Sequence, residues 1–98
     1  MPEFPGGVQE FFKYINENIK YPTREKKKGI KGKVYISFTI CNDGHVSDVK
    51  PYKEVARKEA LIKEAMRVIS MMPKWKPGTQ NGKNVDVIYK VPIIFSIN

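Results

Sequence analysis

The sequence predicts an α+β domain in which two helices pack on one face of a three-stranded antiparallel sheet. The expected order is helix, strand, strand, helix, strand. Two stretches carry apolar residues at helical spacing, and two others alternate apolar and polar residues, with a less regular strand between them. Prolines and turn sequences separate these stretches. A chain of 98 residues suffices for one core, so we expect residues 1–98 to form a single domain.

The first helix follows a Pro/Gly-rich segment over residues 1–7. Its apolar residues recur at i, i+3, i+4, i+7 and i+11, which makes one helical stripe. They are Val8, Phe11, Phe12, Ile15 and Ile19. Pro22 ends the helix, because the residue before a proline avoids the helical region.

The next two elements are predicted to form a hairpin. Residues 23–33 are a strongly basic loop, and an alternating strand follows from Val34 to Ile40. Asn42-Asp43-Gly44 is a strong signal for a tight turn. The returning strand runs from Val46 to Tyr52 and is less regular.

The second helix is predicted from Glu54 to Met72 and ends at Pro73. Its inner stripe consists of Leu61, Ala65, Val68, Ile69 and Met72. A turn at Asn81-Gly82 leads into one long strand from Asn84 to Ile97, against a usual length of about 5–6 residues. A helical connection lets this strand lie parallel to the second, with the first strand between them, so we expect it at a sheet edge.

Composition narrows the function to binding. The net charge of +8 favours acidic partners without choosing among them. The only cysteine, Cys41, has no disulfide partner and is interpreted as a small apolar residue, and His45 is the only histidine. The sequence contains no zinc cluster, no nucleophile elbow and no phosphate-binding glycine pattern. We therefore expect no enzyme, no metal and no cofactor.

The long last strand is the candidate binding element. A proline inside a strand, here Pro92, indicates that one side is unpaired, and an unpaired edge can accept a strand from a partner. We expect roughly micromolar peptide binding, concentrated N-terminal to Pro92. An alternative is a polyanion-binding module that uses the basic run Arg24–Lys33, although a solvated loop explains that run more simply. Trp75, flanked by lysines and prolines, is interpreted as a structural anchor.

An ordered set of motifs carries a family resemblance. The motifs are Phe4-Pro5-Gly6-Gly7, Tyr21-Pro22, Gly29-Ile30-Lys31-Gly32-Lys33-Val34, Asn42-Asp43-Gly44-His45-Val46, Met72-Pro73-Lys74-Trp75-Lys76-Pro77-Gly78, Asn81-Gly82-Lys83 and Val91-Pro92-Ile93-Ile94-Phe95. Over nearly the whole chain the sequence resembles the TonB C-terminal domain family, in the form typical of Bacteroidetes. Each motif alone is weak, but the ordered set is specific.

The resemblance implies the periplasmic domain of an inner-membrane-anchored energy transducer. Such a protein works with an ExbB/ExbD-type motor. It binds the Ton box, a short peptide of an outer-membrane TonB-dependent transporter, as an added β-strand. It implies no nucleic-acid partner. A homodimer through the last strand is a variant of the same pairing. Carried over by position, the peptide-binding residues are Val85, Asp86, Val87, Ile88, Tyr89, Lys90 and Val91, with Tyr21, Pro22 and Arg24 nearby.

Two positions depart from the family pattern. Cys41 stands where a polar residue is more usual, and Val55-Ala56-Arg57 lacks an Asp-Pro helix start. The first seven residues read like the middle of a chain, so we expect a fragment of a longer membrane-anchored protein. The domain also occurs appended to membrane-bound peptidase-like signalling proteins, which is the alternative parent.

Overall fold

The computed structural model describes residues 2–53 and 56–96. Over these residues the elements follow in order, with a short second helix and a small hairpin added to the predicted set. They are α1 (Val8–Asn18), α2 (Thr23–Lys27), β1 (Gly32–Ile40), β2 (Val46–Pro51), α3 (Glu59–Ser70), β3 (Gly78–Gln80), β4 (Lys83–Val85) and β5 (Val87–Phe95). No helix in these ranges is long and apolar enough to cross a membrane.

The predicted sheet is confirmed. β1 lies in the middle and pairs antiparallel with β2 on one side and with β5 on the other. The β1–β5 register is unbroken from the pair Gly32–Phe95 to the pair Ile40–Val87. The last strand therefore lies at an edge, as predicted, and β2 forms the other edge.

One hydrophobic core fills the space between the sheet and the two long helices. The inner side chains of the sheet alternate along β1 and β5, as strand geometry requires. They are Val34, Ile36, Phe38, Ile40, Val91, Ile93 and Phe95, and all are buried. The inner stripe predicted for α3 is also buried, apart from the half-buried Met72.

The apolar stripe of α1 divides into two parts. Phe11 and Ile15 enter the core, whereas Val8 is 59% exposed and Phe12 is 47% exposed. The centre of the stripe faces the sheet, and Ile19, just after the helix, is half-buried against the same core. Val8 and Phe12 face solvent on the side of β5. The exposed pair belongs to the candidate site described below.

The basic segment, predicted as a loop, starts with the helix α2. Pro22 precedes its first turn, and Gly29 ends it with a φ of 72°, the left-handed conformation that glycine adopts at little cost. Good helix formers in Thr23–Lys27 permit one turn, which closes with a hydrogen bond from Lys28 N–H to the Arg24 carbonyl.

The second long helix begins later than predicted. Arg57 has a φ of 65°, which no α-helix contains, so α3 starts at Glu59 after Lys58. The predicted start at Glu54 lies outside the described residues.

The predicted 14-residue strand is divided at Asp86. β4 pairs with β3 in a separate hairpin around Asn81-Gly82, and β5 begins at Val87. The Asp86 carboxylate accepts a hydrogen bond from Asn42 N–H at 2.7 Å, which fixes the break against the β1–β2 turn. The predicted end at Ile97 also lies outside the described residues.

Candidate functional site

The main chain of β5 presents hydrogen-bonding groups to its outer edge. Tyr52 N–H donates to the Tyr35 carbonyl at 3.1 Å, so the main chain of Tyr35 faces β2. Tyr35 pairs with Pro92 across the β1–β5 ladder. In an antiparallel ladder, two directly paired residues turn their main chains either toward each other or both away. Because the main chain of Tyr35 faces β2, that of Pro92 must face away from β1, and the direction alternates along the rest of β5. The outward-facing residues are Ile88, Lys90, Pro92 and Ile94.

This outer edge has no partner strand in the part of the chain that the structure describes. The N–H groups of Ile88, Lys90 and Ile94 point outward, and so do the carbonyls of all four outward-facing residues. Pro92 lacks a donor but keeps its carbonyl. It therefore removes one bond from a possible outer ladder and none from the ladder to β1.

Exposed apolar side chains flank the edge on both sides. Val8 and Phe12 of α1 lie toward the helix face, whereas Ile88 and Ile94 of β5, 68% and 63% exposed, lie on the outer face of the sheet. α1 and β5 also enclose a shallow pocket of about 240 Å³. Its walls are Phe12, Ile15, Asn16, Pro92, Ile93 and Ile94. We call this strip, from α1 across the outer side of β5, the edge groove.

The predicted stretch from Val85 to Val91 does not lie on one edge. Val85 pairs with Gly78 in the small hairpin, and Asp86 is engaged with Asn42. Val87, Tyr89 and Val91 direct their main chains to β1 and their side chains to the inner face. Ile88 and Lys90 are the members of this stretch with outward donors and acceptors.

The other predicted residues lie near the opposite end of β5. The Tyr21 ring packs edge-on against Phe95, with ring centres 5.4 Å apart, and its hydroxyl donates to the Ile30 carbonyl. Burial raises the pKa of Tyr21 above its ordinary value. Pro22 leads into α2, and the exposed Arg24 lies on that helix. These residues are therefore separated from Val87 by most of the length of the strand.

The basic run forms a surface at the same end. All six of its cationic side chains are exposed, and none is in an ion pair among the described residues. They are Arg24, Lys26, Lys27, Lys28, Lys31 and Lys33. The simpler interpretation, a solvated basic surface, agrees with this exposure.

Trp75 is the structural anchor that the sequence predicted. It is 4% exposed, and its ring centre lies 5.3–5.8 Å from those of Phe4, Phe11, Phe38 and Tyr89. The backbone N–H of Trp75 donates to the Gly44 carbonyl at 2.9 Å, which holds the segment after α3 against the β1–β2 turn.

The groups with chemical reactivity are accounted for by local contacts. His45 is exposed and its Nδ1 lies 2.8 Å from the Asp43 carboxylate, whose pKa is lowered by hydrogen bonds to His45. Cys41 is half-buried, with its Sγ 3.1 Å from the Ser47 hydroxyl. Within residues 2–53 and 56–96, no three acidic, histidine or cysteine side chains form a metal-binding group.

These features define a small α+β domain whose sheet keeps a long, apolar-flanked edge open beside its helices. A family model described as the Gram-negative bacterial TonB protein C-terminal matches residues 17–97. The chain belongs to the TonB C-terminal domain family.

Relatives agree in sequence and in structure. The TonB proteins of two Helicobacter pylori strains are 32% and 30% identical over 95% of this chain. The chain spans about a third of their length, 32% and 33%. The narrower Bacteroidetes form stays a prediction.

Two solved domains share the fold. A solution structure of the Helicobacter pylori TonB C-terminal domain covers 96% of this chain, and 87% of that domain is matched, with 30% identity and a TM-score of 0.68. The corresponding Pseudomonas aeruginosa domain covers 81% of this chain and is itself 78% matched, with 25% identity and a TM-score of 0.64.

Proposed function

We propose that this domain binds the Ton box of an outer-membrane transporter as an added β-strand on the outer edge of β5. It would thereby pass energy from the proton-motive force to transport, as the non-catalytic, periplasmic part of an inner-membrane-anchored transducer. The motor partner would be an ExbB/ExbD-type complex that acts through sequence beyond this domain.

The observation that carries this proposal is the coincidence of two features in the edge groove. Ile88, Lys90 and Ile94 offer outward donors, and exposed apolar side chains stand on both sides of the same edge. A monomeric domain gains nothing from exposing apolar side chains, whereas an added strand would cover them.

The energy of such a contact suits reversible coupling. Each ladder hydrogen bond contributes about 0.5–1.5 kcal/mol net. Ordering the peptide and losing its free translation offset much of the total, which favours roughly micromolar affinity. A pull along the added strand would load its hydrogen bonds together, which is how weak bonds could transmit force.

Lys90→Pro tests the edge directly. The Lys90 N–H points outward, so a proline there removes a donor from the outer edge and leaves the β1 ladder intact, as Pro92 already does. We expect Ton-box peptide affinity to fall about tenfold or more, because one hydrogen bond is lost and the ring obstructs the added strand. Peptide titration followed by the amide NMR signals of β5 measures this.

Lys90→Ala is the matched control, because it keeps the N–H and removes the same charge. Equal affinity of Lys90→Pro and the unchanged domain, with both folded, would contradict strand addition at this edge. A second copy of the domain could pair at the same edge, and sedimentation of both variants at several concentrations would detect that competition.

A further inference from the structure

The outer face of the sheet carries a row of three side chains that runs toward the open edge. Ser37 in the middle strand pairs directly with Lys50 of β2 on one side and with Lys90 of β5 on the other. Directly paired residues share a face of the sheet, so the three side chains form one line across it. Ser37 is buried, and both lysines are exposed. A strand added to β5 would extend this line by one residue, which would lie opposite Lys90.

The charge of Lys90 is not neutralised by a neighbouring acid. Within residues 2–53 and 56–96 it has no carboxylate at ion-pair distance, and its Nζ lies 5.3 Å from the centre of the Tyr52 ring. Lys50, at the far end of the row, has its Nζ 3.3 Å from the Asp48 carboxylate. An exposed cation–π contact and an exposed ion pair are of similar strength. The contact with Tyr52 therefore leaves the Lys90 ammonium free to turn toward a carboxylate at the edge.

The other exposed side chains along this edge are apolar. Ile88 lies two residues before Lys90 and Ile94 four residues after it, both on the same face and more than 60% exposed. Side chains of an added strand that lie opposite these isoleucines would pack against them. Directly opposed residues share a face in parallel and in antiparallel pairing, so the direction of the peptide changes only the order of the pattern.

We infer that the domain selects peptides with an acidic residue two positions from one apolar residue and four positions from another, on opposite sides. This inference rests on the proposed strand addition. The acidic residue lies opposite Lys90, and the apolar residues lie opposite Ile88 and Ile94. A carboxylate opposite Lys90 is attracted, whereas an ammonium there is repelled, because like charges directly opposite each other destabilise a pair of strands. Lys90 is therefore the residue that determines the charge preference.

Peptides that differ at one position test this inference. The probes are nine-residue peptides with valine at the two apolar positions, glutamate, glutamine or lysine at the position between them, and uncharged residues elsewhere. Each is made in both orders. In the better order and at low salt, we expect the glutamate peptide to bind about two- to fivefold more tightly than the glutamine peptide, and the lysine peptide to bind most weakly. Titration followed by the amide NMR signals of β5 measures all three affinities.

Lys90→Glu and Lys50→Glu separate a local contact from the overall charge. Each lowers the net charge by two, from +8 to +6, and each alters an exposed residue paired with Ser37. Position 90 would adjoin the added strand, whereas position 50 would lie about 14 Å from it, beyond the Debye length of about 10 Å at 0.1 M salt. In a double-mutant cycle with the glutamate and lysine peptides, we expect a coupling of about fivefold or more at position 90 and of less than twofold at position 50.

The outcomes separate this inference from the proposed function. If the β5 amide signals shift but the two variants change the peptide preference equally, only the overall charge selects the peptide, and the inference is wrong while strand addition stands. Equal binding of the glutamate and glutamine peptides to the unchanged domain would also contradict the inference, whether or not the variants fold. If no peptide shifts the β5 signals, both the strand addition and the inference are wrong.

Discussion

Gly44 holds the β1–β2 turn against the segment of Trp75. Its φ is 91°, and an added Cβ would collide with the Trp75 carbonyl oxygen. Gly44→Ala should therefore lower the free energy of unfolding by about 2–4 kcal/mol, since backbone strain and a main-chain collision add. Urea denaturation measures this difference.

Gly29→Ala is the matched control at the residue scale. Gly29 also has a positive φ, 72°, but an added Cβ there would meet no atom within 4 Å. It should show only the backbone part, about 1–2 kcal/mol. Equal losses in the two variants would mean that Gly44 and the Trp75 carbonyl are not in close contact.

Residue-scale features were predictable where local chemistry decides them. The Asn42-Asp43-Gly44 turn and the burial of Trp75 follow from short motifs, and both predictions were confirmed. The contact between Gly44 and Trp75 was not predictable, because it joins positions 31 residues apart with no pairing signal in either motif. That the Trp75 indole N–H lacks an acceptor among the described residues is likewise visible only once the surrounding side chains are placed.

At the element scale, Glu64 fastens the end of α1 to α3. Its carboxylate accepts hydrogen bonds from Lys20 N–H at 2.6 Å and from Arg67 Nε at 2.8 Å, while Arg67 also donates to the Asn18 carbonyl. The Glu64 side chain is only 12% exposed. The hydrogen bond from Arg67, with a smaller one from Lys20, holds the pKa of Glu64 below its ordinary value.

This lowered pKa predicts a pH dependence with a definite sign. The stabilisation is complete above the unfolded pKa of 4.5 and is lost as the pH falls through the lower folded pKa. Glu64→Gln should lower the free energy of unfolding by about 1–2 kcal/mol at pH 7 and by much less in acid. The variant lacks the charge-assisted hydrogen bonds at every pH, whereas the unchanged domain loses them only when Glu64 is protonated. Unfolding midpoints between pH 7 and pH 3 test this.

Glu17→Gln, at an exposed position of α1, controls for the loss of one negative charge. It should leave the stability and its pH dependence nearly unchanged. A Glu64→Gln variant whose stability fell with acid as steeply as that of the unchanged domain would show that Glu64 is not the titrating group.

The predicted element boundaries were wrong where tertiary contacts determine them. The division of the last strand depends on a hydrogen bond between Asp86 and Asn42, 44 residues apart, and the alternating apolar pattern runs through it without a break. The division of the α1 stripe depends on where β5 lies, so Val8 and Phe12 look like core residues in the sequence. The helix α2 was not predicted, because a single helical turn rich in lysine has no apolar periodicity.

At the scale of the whole molecule, the open edge was predictable from Pro92 and from the order of elements. The groove beside it was not, because it needs α1 and β5 side by side. Sequence reasoning also treated Val85–Val91 as a uniform stretch. Only the pairing of Tyr35 with Pro92 and Tyr52 distinguishes residues whose main chain faces outward from those that face β1.

At this scale, charge yields a prediction that distinguishes two roles of the basic run: steering an acidic peptide to the edge, and binding a polyanion. Replacing Lys26, Lys27 and Lys28 with glutamine lowers the net charge from +8 to +5. If these lysines only steer an acidic peptide to the edge, association at low salt should slow several-fold and dissociation should stay unchanged. The difference should vanish near 0.5 M salt, where the Debye length is only a few ångströms. Stopped-flow mixing measures both rates.

Replacing Lys13, Lys74 and Lys83 with glutamine removes the same charge from other exposed positions, and steering predicts a similar effect. A faster dissociation confined to the Lys26–Lys28 variant would instead mean that the basic run touches the peptide. Polyanion binding predicts a third pattern: retention on an anionic column with a steep salt slope, lost in the Lys26–Lys28 variant and kept in the other. Because the basic run lies at the Phe95 end of β5, whereas two of the three outward donors, Ile88 and Lys90, lie on the other side of Pro92, we expect the steering result.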